Sequence, residues 1–395
     1  YISREYQERV LQIAKNMTEV LKTITIVTLR EESFFRSAMS GVLDAFNVPM
    51  FHISSPSFET LMRYRISYVL QLLQTEEEDL IAPHARIADL PNQEIARMFF
   101  EIVDSSLRGS RPMGREILRF INEVSGANMR LALEFFRTFL VSGNTDINEM
   151  ISIEMRNREF KTGPYQIPLH HVIKSIMLAH SRLYSSMRSR VMNLFLVNPQ
   201  YTNSHFVHLR ILNYLADRRN VQTFYGRGYV AIDTIIDEAD RLLINKGAIS
   251  DSLRQMALFD LVQFENQSKT GYDQATYVRV TNTGAYYLNE LVRKFPYLDQ
   301  VWMDTPIADQ QYVNKLRGLF VELKQQKAEE DLETRFQRTE LFLKYLREME
   351  EKEFSDSPEY NDSDLTKKRF VPEITDAFNE QREYIRERRK RFSAV

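Results

Sequence analysis

Residues 203–294 hold the pattern that most restricts what this chain can fold into, because the apolar period changes there from helical to alternating. Three segments, SHFVHLRILNYLADRR, AIDTIIDEADRLLINKG and SDSLRQMALFDL, space their apolar residues as one face of a helix. LVQFEN and ATYVRVT follow, with apolar and polar residues alternating as in half-buried strands. The polar turn Gln267-Ser268-Lys269-Thr270-Gly271 joins these two runs, and Thr281-Asn282-Thr283-Gly284 ends the second with a helix-start signal. A period of two cannot lie on a helix face, so this stretch is helices packed against a β-hairpin.

Helices followed by a hairpin describe a winged helix, with residues 250–260 in the recognition position. That segment exposes Ser252, Arg254 and Gln255, and Asp251 and Asp260 oppose phosphate binding. The hairpin turn adds Lys269, and the loop RRNVQTFYGRG supplies a better local patch in Arg218, Arg219 and Arg227. The patch therefore reads as a contact for nucleic acid or for a partner protein, with both open.

Around this unit the chain divides into five parts. Residues 1–57 contain TITIVTLR, with the apolar density of a buried strand, a helix over about 33–46 and a short strand MFHI. This order reads as the end of an α/β sheet whose other strands lie elsewhere. Residues 58–150 are helical, opened by a cap at Ser54-Ser55-Pro56-Ser57, and Gly126 and Gly143 stand where helix C-caps belong. Residues 151–202 read as a connector with at least one helix, 203–296 as the winged helix, and 297–395 as a charged helical tail with a basic cluster between 386 and 391. The expected fold class is mainly α with α/β parts.

With 395 residues, 43% hydrophobic and 27% charged, the composition is that of globular protein in two to four domains. The 52 basic and 54 acidic residues leave a net charge of -2, so no global field draws the chain to nucleic acid. The absence of cysteine excludes disulfides, thiolate zinc sites and a Cys nucleophile, and fits a reducing compartment. No apolar run approaches the roughly 18 residues that span a bilayer. The reading is a soluble cytoplasmic protein without membrane contact. The chain opens at Tyr1 and enters an amphipathic helix at once, from which further sequence upstream is expected.

VTLREESFF, its helix, MFHI and the later SGANMRLAL together resemble the second half of an AAA+ core and its lid, of the origin-initiator or STAND type. The resemblance covers about residues 1–150, and a winged helix follows in the order many such ATPases use. It implies ATP and Mg²⁺ as cofactors and a homo-oligomer acting on an effector protein, as in the stand-alone ATPases of bacterial antiviral defence. It also implies that Thr28 or Arg30 is the γ-phosphate sensor and that Arg36 is an arginine finger, with Arg30 second. In Gly126-x-x-x-Arg130-x-Ala132-Leu133 it makes Arg130 the second sensor, in contact with bound nucleotide. A guanidinium suits these roles because it is permanently charged and grips phosphate in a fixed fork.

The chain has no Gly-x-x-x-x-Gly-Lys-Ser/Thr loop and no apolar strand ending in paired acids. The resemblance puts both upstream of residue 1, and hydrolysis by these residues alone is not expected. The pair His170-His171 lacks metal-ligand spacing. Two alternatives stand beside the ATPase reading: a winged-helix DNA-binding module and a non-enzymatic scaffold.

Overall fold

The computed structural model describes residues 4–28, 56–74, 93–144, 146–266, 272–322 and 328–393. It is mainly helical with two small sheets. Helix α1 (Arg4–Leu21) comes first. Residues 22–28, expected inside a buried strand, have no strand pairing among the described residues, and Ile24 and Ile26 are 95% and 85% exposed. β-branched density marks suitability for a strand, whereas pairing requires a neighbouring backbone. The rest of the expected strand–helix–strand, with Arg30 and Arg36, lies outside the described residues.

Helix α2 (Phe58–Leu72) begins at Ser57, whose hydroxyl accepts from Thr60 N at 3.1 Å. Its buried Phe58, Met62 and Ile66 recur at helical spacing on the face that packs on α3 (Gln93–Ser106). Helices α4 (Pro112–Val124) and α5 (Met129–Val141) follow. Gly126 at φ 60° ends the first of these and Gly143 at φ 69° follows the second, as the sequence indicated. Asn128 caps α5 by accepting from Arg130 N and Leu131 N. Helices α6 (Ile147–Phe160) and α7 (Leu169–Leu178) complete this layer, with α7 packed on α4 and α5.

Residues 179–206 have little regular structure, yet they run through the core. Val191, Leu194 and Phe195 are fully buried there, as is the polar Asn193. A buried irregular backbone must find its hydrogen bonds among side chains. Two buried tyrosines supply them: Tyr287 Oη accepts from Met192 N at 3.1 Å, and Tyr297 Oη accepts from Leu194 N at 2.9 Å while donating to Met192 O at 2.9 Å. Burial raises the pKa of both phenols, which stay protonated.

Next come α8 (Val207–Asp217), the hairpin β1 (Gln222–Thr223) and β2 (Gly226–Arg227), β3 (Val230–Ala231), α9 (Ile232–Arg241) and α10 (Lys246–Leu258). Strands β4 (Val262–Phe264) and β5 (Tyr277–Val280) form the expected alternating pair. Strand β3 joins β5 on its other edge, giving an antiparallel sheet in the order β3-β5-β4. Val262, Phe264, Val278 and Val280 face the core, and Gln263, Tyr277 and Arg279 face out. Helix α11 (Asn282–Asn289) starts at Thr281, as the sequence indicated, and its Gly284 approaches β4 so closely that an added Cβ would meet Leu261 O at 2.1 Å.

The remaining helices are α12 (Phe295–Val301), α13 (Gln310–Glu322), α14 (Ala328–Asp356) and α15 (Val371–Ser393). The charged tail folds back: Phe336, Phe342, Tyr345, Leu346 and Phe378 are buried where α14 packs on α12 and α15. Its charges pair across that seam, with Asp299 bridging Arg335 at 2.7 Å and Arg338 at 3.4 Å, and with Arg386, of the basic cluster, bound to Glu333 at 2.5 Å.

Candidate functional site

A cleft of about 1140 Å³ opens between the α4–α5 turn and the unit from α8 to α11. One wall is the turn Asn122 to Asn128, and the other comprises Arg219, Arg227, Arg279 and Asn282 with the outer edge of the sheet. The walls are tied together: Thr283 Oγ1 donates to Glu123 O at 2.7 Å, and Arg119 pairs with Glu290. Helix α4 also packs directly on α11.

The three arginines reach the cleft from different elements. Arg219 follows α8, Arg227 ends β2, and Arg279 stands on the outer face of β5. The loop 218–228 brings the first two together because Gly228 N donates to Val221 O at 2.8 Å. Gly228 is needed there: its φ is +82°, and a Cβ would come 3.0 Å from Arg219 O.

Their partners are neutral. Arg219 donates to Asn282 Oδ1, Arg227 to Asn220 Oδ1 at 2.6 Å, and Arg279 to Gln263 Oε1 at 2.6 Å and 3.0 Å. Arg279 also lies 4.8 Å over the Tyr229 ring. Amide acceptors orient a guanidinium without cancelling its charge. Glu123 and Asp260 are the carboxylates lining the cleft, and Asp260 sits against Gly126 on the opposite wall.

An aromatic strip continues from this wall. The β1–β2 hairpin turns at Phe224 and Tyr225, and Phe224 is 93% exposed. Tyr225 packs on Tyr277 with ring centroids 4.6 Å apart, and Tyr277 shares the outer face of β5 with Arg279.

The sequence-derived patch is thereby divided. Arg219 and Arg227 line the cleft, whereas Arg218 lies 3.6 Å over Tyr214 and is held by Asp364 at 2.8 Å. Arg254 on α10 pairs with Asp273 at 2.6 Å and covers Tyr272, and Ser252, expected on the exposed face, is buried because it lies on the face packed into the core. The start of α10 is hemmed in as well: a Cβ on Gly247 would meet the Tyr201 ring at 2.6 Å, and Asn198 binds Asp251 at 3.0 Å. Lys246 stands exposed at the first position of α10, and Lys269 lies outside the described residues. Arg279 was not singled out from sequence because a lone Arg in an alternating strand reads as a solvent-facing residue.

Among the nucleotide-contact residues expected from sequence, Arg130 is exposed in the first turn of α5, and its guanidinium has no partner among the described residues. Thr28 is exposed and outside regular structure, and Arg30 and Arg36 lie outside the described residues. No described helix is long and apolar enough to cross a membrane. Compared with protein-family models, curated proteins and solved structures, the chain matches none.

Proposed function

We propose that this chain is the C-terminal portion of an oligomeric AAA+/STAND-like P-loop ATPase, with residues 58–150, from α2 onward, as its lid and residues 203–296 as a winged helix. The observation that supports this reading best is the element order α8-β1-β2-β3-α9-α10-β4-β5 with the strand order β3-β5-β4, after a helical layer and the irregular segment 179–206. Helices followed by a small antiparallel sheet support a helix-turn-helix with a wing.

Coupling follows from the seam. Thr283 to Glu123, Arg119 to Glu290 and Lys294 to Glu116 join the lid helix α4 to α11 and the segment after it. A lid that shifts on nucleotide binding would carry the winged helix with it, which is how ATP would control assembly or an effector. Arg130, exposed and unpaired among the described residues, would reach the nucleotide phosphates, while ATP and Mg²⁺ would be held mainly by residues upstream of this chain.

The test is ATP hydrolysis and ATP-dependent assembly by the intact protein that carries this chain. Arg130→Ala should weaken nucleotide binding or turnover, and Arg36→Ala should spare binding and abolish turnover in the oligomer. Normal hydrolysis in both variants would overturn the roles given to these arginines. Absence of any ATP binding by the intact wild-type protein would overturn the ATPase reading itself.

A further inference from the structure

We infer that the arginine wall of the cleft and the aromatic tip of the β1–β2 hairpin together form a binding site for single-stranded nucleic acid, phosphates on Arg219, Arg227 and Arg279 and unpaired bases on Phe224 and Tyr225. Three observations converge on this. The three guanidiniums are oriented by Asn282, Asn220 and Gln263 and have no carboxylate partner among the described residues. Phe224 presents its ring to solvent at 93% exposure beside Tyr225, and the ring of Tyr225 rests on Tyr277. Tyr277 and Arg279 stand two residues apart on one face of β5, so the stacking surface and the phosphate surface run into each other.

A ring on a surface is unremarkable alone. Here an aromatic group adjoins a cationic wall at Tyr277 and Arg279, which is the composition that sequence-tolerant single-strand sites use: a charged track for the backbone and π-faces for successive bases. Glu123 and Asp260 also line the cleft, with Asp260 packed against Gly126 of the α4–α5 turn.

Duplex fits less well. The helix that would enter a major groove has Arg254 committed to Asp273, and its first turns pack against Tyr201 and Asn198. A paired base has no free face for Phe224. The inference stands on the cleft and hairpin geometry and is independent of ATP hydrolysis, which is measured separately.

The test is fluorescence anisotropy of this chain, without nucleotide, against labelled oligothymidylate, an abasic oligomer of equal length and a duplex of equal length. The single strand should bind, with log K falling against log salt at a slope near -2 for three phosphate contacts. Phe224→Ala, at an exposed position, should weaken oligothymidylate roughly 5- to 100-fold and leave the abasic oligomer unchanged. Arg227→Gln should weaken both single-stranded ligands and lower the slope, and Arg254→Gln, outside the cleft, should change neither. Thermal melts matching wild type accompany each variant. Duplex binding as tight as single strand, equal affinity for the abasic oligomer, or no binding at low salt would each overturn the inference.

Discussion

Along the seam where α14 and α15 return to the body of the protein, arginines meet carboxylates; in the cleft between α4 and the β3-β5-β4 sheet, they meet amides. Asp299, 1% exposed, holds both Arg335 and Arg338, and the buried Arg210 is bound by Glu353. Arg219, Arg227 and Arg279 have no carboxylate partner among the described residues and border open space. The difference follows from desolvation. A buried guanidinium is tolerable only when its charge is compensated, whereas one beside water can remain uncompensated and so stay available to an anion. In this chain the seam arginines therefore read as architecture and the cleft arginines as recognition.

The contrast breaks most readily at Asp299. Asp299→Ala removes the buried carboxylate that bridges Arg335 and Arg338 and should cost about 3–5 kcal/mol in urea denaturation. A loss below about 1 kcal/mol would mean that the seam charges are not structural.

Acid should strain the core next, at His171 near Arg335 and at His208 on α8. Burial pushes the pKa of His171 down to about 4, with Lys174 and Arg335 adding to it, and burial likewise brings His208 to about 4. Between pH 6.5 and 4 the unfolded chain protonates these rings and the native one does not, so the unfolded state binds more protons and stability falls as pH falls. The slope is up to about 1.4 kcal/mol per pH unit for each histidine. His208→Leu should be measurably less sensitive to pH over this window than wild type; an unchanged slope would remove His208 from the account.

Glu350 offers a gentler probe of how the tail is anchored. Buried at 2% exposure, it accepts from Phe370 N at 2.7 Å and Val371 N at 3.2 Å where α15 begins, and burial raises its pKa. Glu350→Gln keeps one acceptor and should cost about 1–2 kcal/mol by denaturant unfolding. At the other end of the scale, Arg219→Gln and Arg227→Gln should change stability by no more than about 0.5 kcal/mol. A large loss from either would make the cleft arginines structural after all and erase the contrast.

How far the sequence was legible depended on the range of the interactions involved. The β4–β5 hairpin, the Ser57 cap, the positive φ at Gly126 and Gly143 and the helix start at Thr281 are set within a few residues. Arg219 and Arg227 were legible as a patch because they share one loop. Arg279 was not, because it joins them only when β5 pairs with β3 and β4. The buried course of residues 179–206 was equally hidden, since it depends on Tyr287 and Tyr297, about a hundred residues away, to satisfy its amides. The strand expected over 23–30 shows the opposite limit, a local preference that among the described residues has no partner strand.

Amino-acid order alone determined the helical character of the chain, the alternating hairpin in its second half and the chemistry of its basic loop, because period, capping and turn residues act through neighbouring backbone. Tertiary structure decided which charges are cancelled. Arg218 and Arg219 are adjacent in sequence, yet one closes on Asp364 and the other lines the cleft. That choice is made by which element packs opposite each side chain, and the distance to a carboxylate, which sets whether a guanidinium is architecture or a binding group, exists only once the chain has folded.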